Sequence, residues 1–135
     1  MPPSEGRLAT AHLDSGTVRY AQTIRVGHHT LVADEPASVG GGDAGASPYG
    51  LLLAALAACT SITLRMYGDL KGWELGAVHV DLVMERTSDG EHIQRTIRVG
   101  ANVTPEQRAR LAEIAEKTPV TLTLKRGTPI VTTFE

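Results

Sequence analysis

SPYGLLLAALAACTSITLRMYGDLK, residues 47–71, is the stretch on which the predicted fold depends. Ser47 can cap the free N–H groups of a helix, and Pro48 follows at the first helical position, where a missing N–H costs nothing. Residues 51–59 are all apolar, and a helix that is apolar on every side must be buried on every side. The apolar run is too short to span a bilayer, and charged residues close the segment, so the pattern predicts a core helix.

Length and composition favour a single domain at residues 1–135, in a soluble protein. The chain has 135 residues, 41% of them hydrophobic, and a formal net charge of −2, which is typical of one globular domain. Without a basic excess we expect no nucleic-acid partner, and we expect no membrane partner. The start, MPPSEGRLATAH, lacks the apolar region of a signal peptide, and one cysteine cannot form an intrachain disulfide, so we expect a cytoplasmic protein.

The remaining chain alternates between strand and helix patterns. Residues 1–6 have the character of a frayed terminus, and Asp14-Ser15-Gly16 is a turn signal. Strands are predicted at residues 8–13, 17–26, 29–33, 77–85, 91–101 and 129–134, with a hairpin turn at Ser88-Asp89-Gly90. A glycine-rich loop, residues 34–45, leads to the long helix. Thr104-Pro105 and Thr118-Pro119 each begin a further helix, the last one running from residue 119 to about residue 124.

This order predicts the α+β class, with mostly antiparallel sheet around a long central helix. One small sheet can cover only one side of a helix that is apolar all round. A symmetric homodimer that pairs two such helices back to back would bury the other side.

Cys59 is the sharpest candidate for chemistry. A free cysteine is often a small apolar filler, and this reading stays open. A reactive thiol instead needs cations, hydrogen-bond donors or the N-terminus of a helix beside it. Cys59 lies about ten residues inside its own helix, so a donor must come from elsewhere, and the helix start at Thr118-Pro119 could supply it.

Other sequence patterns are weaker indications of function than Cys59. Gly40, Gly42 and Gly45 match GxGxxG by letter, but no strand enters these glycines and no parallel βαβ unit surrounds them. No histidine or cysteine spacing is typical of a metal site, and we expect no metal and no cofactor. Asp34 and Glu35 precede a proline and are interpreted as anchors of the glycine-rich loop.

Taken together, these residues resemble the OsmC/Ohr family. Two segments carry the resemblance, SPYGLLLAALAACT and TPEQRARLAEIAEKTPV, and the likeness extends from about residue 27 to the end of the chain. The resemblance implies an intertwined homodimer in which two long helices pack at the centre and antiparallel sheets wrap around them. It also implies reduction of organic and hydrogen peroxides. In such enzymes a helix cysteine, held by an arginine and an acidic residue, attacks the peroxide, and the sulfenic acid then condenses with a second cysteine.

The chain departs from this pattern at two places. Cys59 matches the first cysteine, but Thr118 stands where the second would precede Pro-Val, so the two-cysteine cycle cannot run. Tyr49 and Gly50 occupy the helix start where the family has its acidic residue. We assign both to the lining of the site, together with Glu35 and Thr118.

No motif fixes the arginine. We predict that Arg19 is the arginine that holds the thiolate, and Arg25 is the second candidate. The two share one strand face, and both could equally be solvated.

Three readings therefore remain open. The first is a one-cysteine thiol peroxidase, reset by an external thiol reductant, in which Thr118 and its helix start donate hydrogen bonds to the thiolate. The second is a non-catalytic dimer that binds a small hydrophobic ligand in the interface groove near Cys59. The third is a dimer in which Cys59 is buried filler and the role is unrelated.

Overall fold

The long predicted helix is present as α1 (Pro48–Lys71) in the computed structural model, which describes residues 5–15 and 17–135. The class is mixed α+β, as the sequence predicts, with antiparallel sheets and one long helix. The other elements are β1 (Ala11–Leu13), β2 (Gln22–Val26), β3 (His29–Ala33), a single 3₁₀ turn (Ala37–Val39), β4 (His79–Thr87), β5 (Gly90–Arg98), α2 (Pro105–Ala115) and α3 (Pro119–Arg126). The chain divides into two units, Met1–Leu52 and Leu53–Glu135.

The first unit holds a three-stranded antiparallel sheet in the order β1-β2-β3. In its register Ala11 lies opposite Val26, and Gln22 lies opposite Ala33. β3 has the predicted range, whereas β1 and β2 are shorter than predicted. Residues 17–20 form bends rather than the start of β2. The predicted turn at residues 14–16 includes Gly16, which lies outside the described residues, as do the first four residues of the predicted frayed terminus.

Asp34 organises the glycine-rich loop that follows β3. Its side chain is buried, at 3% exposure, and its carboxylate accepts hydrogen bonds from the N–H groups of Glu35 (2.7 Å), Gly42 (3.2 Å) and Ala44 (3.0 Å). These donors lower the pKa of Asp34, the N–H of Ala44 most of all. Asp34 therefore anchors the loop as predicted, and the loop ends directly before α1.

The second unit is built on a core to which α1, α2 and the segments that follow α1 and β5 contribute. The side chains of the core are all apolar: Leu64, Leu75, Val103, Leu111 and Ala115. Strands β4 and β5 form the predicted hairpin, with Val80 opposite Ile97 and Met84 opposite Ile93. The start of α2 is a capping box, in which Thr104 accepts from the N–H of Gln107 while the Gln107 side chain accepts from the N–H of Thr104.

Helix α1 is covered on one face within the single chain. Its buried residues recur every four positions, at Leu56, Thr60, Leu64 and Gly68. By length and composition alone this is the one helix in the described residues that could cross a membrane, and 17% of its most apolar stretch is buried. The whole helix, Pro48–Lys71, is longer than its fully apolar run, residues 51–59, which by itself is too short to span a bilayer. The central helix of a soluble protein meets the same criterion.

The predicted last strand, residues 129–134, is wrong. Residues 127–135 have no regular structure, and Ile130, Val131 and Phe134 are 86%, 94% and 97% exposed. A strand needs a neighbour to take its backbone hydrogen bonds, and within the described residues neither sheet pairs with this segment.

Candidate functional site

The sulfur of Cys59 lies at the start of another helix. Cys59 is half-buried in the middle of α1, and its Sγ accepts a hydrogen bond from the backbone N–H of Val120 at 3.4 Å. The hydroxyl of Thr63, one turn further along α1, lies 3.9 Å from the same sulfur. A reactive thiol at Cys59 requires a hydrogen-bond donor from the start of a second helix. In the structure, α3 supplies this donor.

The order of residues at the start of α3 explains why the donor is Val120. Thr118 caps the helix, and Pro119 occupies its first position and has no N–H. Val120 therefore carries the first free N–H of α3. The first N–H groups of a helix lack partners within the helix and form the positive end of its dipole. The sulfur of Cys59 accepts a hydrogen bond from the first of these donors.

The side chain of Thr118 faces its own helix. It is fully buried, its Oγ1 accepts from the N–H of Thr121 at 3.3 Å, and the two threonine hydroxyls lie 2.6 Å apart. Among the described residues, Thr121 supplies all the hydrogen-bond partners of the Thr118 side chain. The expectation that the Thr118 hydroxyl donates to the sulfur is thus not what the structure shows, since the donor is the amide of Val120.

Arg95 is the residue near Cys59 that sequence reasoning missed. Its side chain, 12% exposed, extends from β5 and donates from Nη1 to the hydroxyls of Thr60 (3.0 Å) and Thr121 (2.9 Å). Nη2 donates to the carbonyl of Ala115 at 2.9 Å. Thr60 is the neighbour of Cys59 in α1, and Thr121 is the neighbour of Val120 in α3.

A sequence signal for Arg95 does exist. The apolar residues Ile93 and Ile97 of β5 and Val99 just after it share one parity, and Arg95 has the same parity. In the hairpin register it lies opposite Leu82, on the apolar face of β4. A charged residue at an inward position of a strand must find partners inside the protein, because an unpaired buried charge is costly.

The charge of Arg95 is balanced by Glu116, directly after α2. The carboxylate of Glu116 lies 3.7 Å from Nη2 of Arg95 and 2.5 Å from Nζ of Lys125. The hydrogen bond from Lys125 is the main cause of a lowered pKa at Glu116, and the charges of Lys125 and Arg95 act in the same direction, while partial burial opposes them. Glu116 thus joins the end of α2 to α3.

The other predicted site residues belong to the first unit. The guanidinium of Arg19 lies 4.8 Å from the centre of the Tyr20 ring. Glu35 is half-buried and supports the loop through its main chain, accepting from the N–H of Asp43 at 3.1 Å. Tyr49 and Gly50 lie in the first turn of α1, where Gly50 donates to the hydroxyl of Ser47 at 3.1 Å. Proximity of these residues to Cys59 stays a prediction.

Comparison with known proteins gives a consistent result. A family model described as OsmC-like protein matches residues 40–133. An OsmC-like protein from Mycoplasma pneumoniae superposes with a TM-score of 0.72 at 17% identity, covering 91% of this chain and 89% of that chain. The organic hydroperoxide resistance protein OsmC of Legionella pneumophila gives 0.65 at 19% identity, with 90% and 92% covered. OhrB of Bacillus subtilis, an organic hydroperoxide resistance protein, gives 0.59 at 21% identity, with 87% and 90% covered. These structures are similar in fold. No curated protein sequence matches this chain significantly.

Proposed function

Since the chain belongs to the OsmC-like protein family, we propose that it is a thiol peroxidase whose single cysteine, Cys59, reduces organic or hydrogen peroxides. The observation that carries this proposal is the hydrogen bond from the Val120 N–H to the Cys59 sulfur at 3.4 Å. A helix N-terminus beside a thiol favours the thiolate, which is the nucleophile. Two structural neighbours named for organic hydroperoxide resistance support the choice of substrate class.

The cycle balances with one protein sulfur and two equivalents of an external thiol. The Cys59 thiolate attacks one oxygen of the peroxide, the O–O bond breaks, and the other oxygen leaves as an alcohol or water after taking up a proton. Cys59 is then a sulfenic acid. An external thiol attacks the oxidised sulfur and water leaves, giving a mixed disulfide. A second thiol, or the second sulfur of a dithiol, attacks this bond and frees Cys59.

The remaining parts of the proposal concern what surrounds the sulfur. In a cytoplasmic homodimer, Arg19 would hold the thiolate as a cation, and Glu35, Tyr49 and Gly50 would line the site. Thr118 would act indirectly, as the cap of α3, rather than as a donor to sulfur. Neither a cofactor nor a metal takes part in these steps.

Peroxide consumption tests the proposal directly. Native protein and Cys59→Ser are each mixed with cumene hydroperoxide or hydrogen peroxide, with dithiothreitol or dihydrolipoamide as reductant. We expect turnover by native protein and none above background by Cys59→Ser, because the serine hydroxyl cannot be oxidised to a sulfenic acid analogue. Trapping with dimedone, followed by mass spectrometry, should locate the sulfenic acid at Cys59. Equal consumption by the two proteins would overturn the proposal.

A second function, binding of a small hydrophobic ligand, is favoured by an apolar pocket in the second unit. The pocket has a volume of about 130 Å³ and is lined by Leu64, Ile97, Val99, Arg108, Leu111 and Ala112. A dry cavity of about 150 Å³ holds a benzene-sized molecule. Titration with toluene or hexanoate should then give saturable binding that survives Cys59→Ser and is lost in Ala112→Phe, which fills the pocket. Binding unaffected by Ala112→Phe would contradict this second function.

A further inference from the structure

We propose that Arg95 is a positioning residue for Cys59: it holds the first turn of α3 against α1 so that the Val120 N–H stays on the sulfur. The inference rests on the proposed function, whose nucleophile is Cys59, and it assigns to that site a residue from β5. Arg95 has no contact with the sulfur among those described. It acts through its neighbours.

One nitrogen of Arg95 ties together the two residues that flank the sulfur contact. Nη1 donates to Thr60 Oγ1 at 3.0 Å and to Thr121 Oγ1 at 2.9 Å. Thr60 follows Cys59 in α1, and Thr121 follows Val120 in α3. Both hydroxyls are buried, at 0% and 5% exposure. The bridge through Nη1 therefore connects α1 and α3, the same two helices that the hydrogen bond from Val120 to Cys59 connects.

The other nitrogen fixes the connection into α3. Nη2 donates to the carbonyl of Ala115 at 2.9 Å, one of the last carbonyls of α2, which lacks a partner within its helix. The carboxylate of Glu116 lies 3.7 Å away. Only residues 116–118 separate α2 from α3, so a hold on Ala115 limits where the first turn of α3 can lie.

These contacts use the geometry of a guanidinium. Its donors lie in one plane and can serve two hydroxyls and a carbonyl at once, whereas the ammonium of lysine is a compact point charge on a flexible stem. Arg95→Lys therefore keeps the charge and loses the simultaneous bridge. If charge were all that mattered, lysine would suffice.

Thiol reactivity tests the bridge in variants that keep the fold. The second-order rate of Cys59 with iodoacetamide is compared in native protein, Thr121→Ser and Thr121→Val. Serine keeps the hydroxyl acceptor for Arg95 and valine keeps only the shape. We expect Thr121→Ser within about twofold of native, and Thr121→Val and Arg95→Lys slower by about fivefold or more, since a single lost hydrogen bond already corresponds to about fivefold. Thr121→Val also loses the contacts of this hydroxyl with Thr118 and with the carbonyl of Ala115. Val103→Ala, a core variant outside the bridge, controls for general loss of stability.

The chemical shift of the Val120 amide distinguishes a positioning role of Arg95 from a general role in stability. In ¹H–¹⁵N spectra, Cys59→Ala should shift the Val120 resonance in the native background, because the N–H loses its acceptor. The same change should leave Val120 almost unmoved in the Arg95→Lys or Thr121→Val background, where the contact is already lost.

An equal response of Val120 in all backgrounds, or equal iodoacetamide rates for Thr121→Val and Thr121→Ser, would overturn the role of Arg95. Failure of the proposed function has a different signature: no peroxide turnover, with the Val120 response to Cys59→Ala still dependent on Arg95.

Discussion

At the scale of single residues, Asp34 shows how one carboxylate can replace regular structure. The loop after β3 contains glycines where no side chain would fit, since a Cβ at Gly41 would lie 1.9 Å from the carbonyl oxygen of Glu35 and one at Gly45 would lie 2.2 Å from that of Val32. A loop that is folded so closely cannot pair all its N–H groups in a ladder. The carboxylate of Asp34 accepts three of them instead.

Acid should therefore weaken the loop that Asp34 anchors. In the folded protein the pKa of Asp34 lies below its usual value of 3.8, chiefly because of the N–H of Ala44. A carboxyl group with a lowered folded pKa stabilises the protein fully above its unfolded pKa, and the stabilisation is lost as the pH falls through the folded pKa. Urea unfolding from about pH 2 to about pH 6 should show this loss below pH 3.8 in native protein. Asp34→Asn should be less stable at neutral pH and lack this part of the pH dependence. A parallel pH dependence in the two proteins would contradict the prediction.

Thr118→Cys should create a two-cysteine site. Thr118 lies two residues before Val120, whose N–H contacts Cys59, so a thiol at position 118 starts close to the sulfur it must reach. Loss of the Thr118 cap costs about 1 kcal/mol, whereas a disulfide closing a loop of roughly 60 residues stabilises by about 4 kcal/mol. Peroxide should lower the mass of this variant by two hydrogens and raise its melting temperature. Ser61→Cys, on the same helix, is the control and should form no intrachain disulfide with Cys59. An unchanged mass in Thr118→Cys would contradict the geometry.

At the level of single residues, part of the candidate site could be predicted from the sequence and part could not. The setting of Cys59 was predictable, because Thr118-Pro119 encodes a helix start and the proline leaves Val120 as its first donor. Arg95 was not identified, because arginines are usually solvated and its strand parity was read only for the apolar residues around it. Arg95 lies 35 positions from Thr60 and 26 positions from Thr121 in the sequence, and no local pattern contains such contacts.

At the scale of elements, helix ends and hairpins were predictable to within a few residues because their signals are local. The cap at Thr104, the turn before Gly90 and the start of α3 each depend on residues that are close in the chain. Residues 129–134 alternate like a strand, but whether they form one depends on a free sheet edge elsewhere. Strand pairing is not a local property, and here the prediction failed.

Gly68 sets how closely α1 approaches the segment after it. A Cβ at Gly68 would lie 2.9 Å from Cγ of Leu75, which is 1% exposed. Alanine gains about 1 kcal/mol over glycine within a helix, but crowding a packed core costs about 1–3 kcal/mol. Crowding should win, and we expect Gly68→Ala to lower the free energy of unfolding by about 1 kcal/mol in chemical denaturation.

A second substitution tests whether contact with Leu75 causes the loss of stability in Gly68→Ala. Leu75→Ala removes the atoms that the new methyl group would meet, so Gly68→Ala should be neutral or stabilising in that background. The coupling between the two positions should be about 1 kcal/mol or more, as for residues in direct contact. Additive effects of the two substitutions would show that the loss at Gly68 has another origin.

At the scale of the whole molecule, α1 has a second apolar face that the described part of the chain, residues 5–15 and 17–135, leaves uncovered. Two positions away from its buried residues runs an exposed apolar stripe, formed by Ala54, Ala58, Ile62, Met66 and Leu70. Ile62, Met66 and Leu70 are 53%, 66% and 79% exposed. Exposed apolar stripes of this kind mark interaction sites. We propose that a second copy of the chain covers this one, because a stripe on a single helix is self-complementary about a two-fold axis. Its small residues, Ala54 and Ala58, would let the two helices approach closely.

A charge in this stripe should therefore separate the two copies. In sedimentation velocity, native protein should have the mass of a dimer, and Ile62→Glu should shift it towards the mass of one chain of 14.3 kDa, because a carboxylate buried without a partner costs several kcal/mol. Val83→Glu is the matched control, since Val83 is 50% exposed but shares its strand face with Asp81, where a charge is already tolerated. Native protein sedimenting as a monomer, or equal dissociation by Ile62→Glu and Val83→Glu, would contradict pairing through α1. Because Cys59 lies in this helix, the iodoacetamide rate measured on the same samples shows whether its reactivity depends on the second copy.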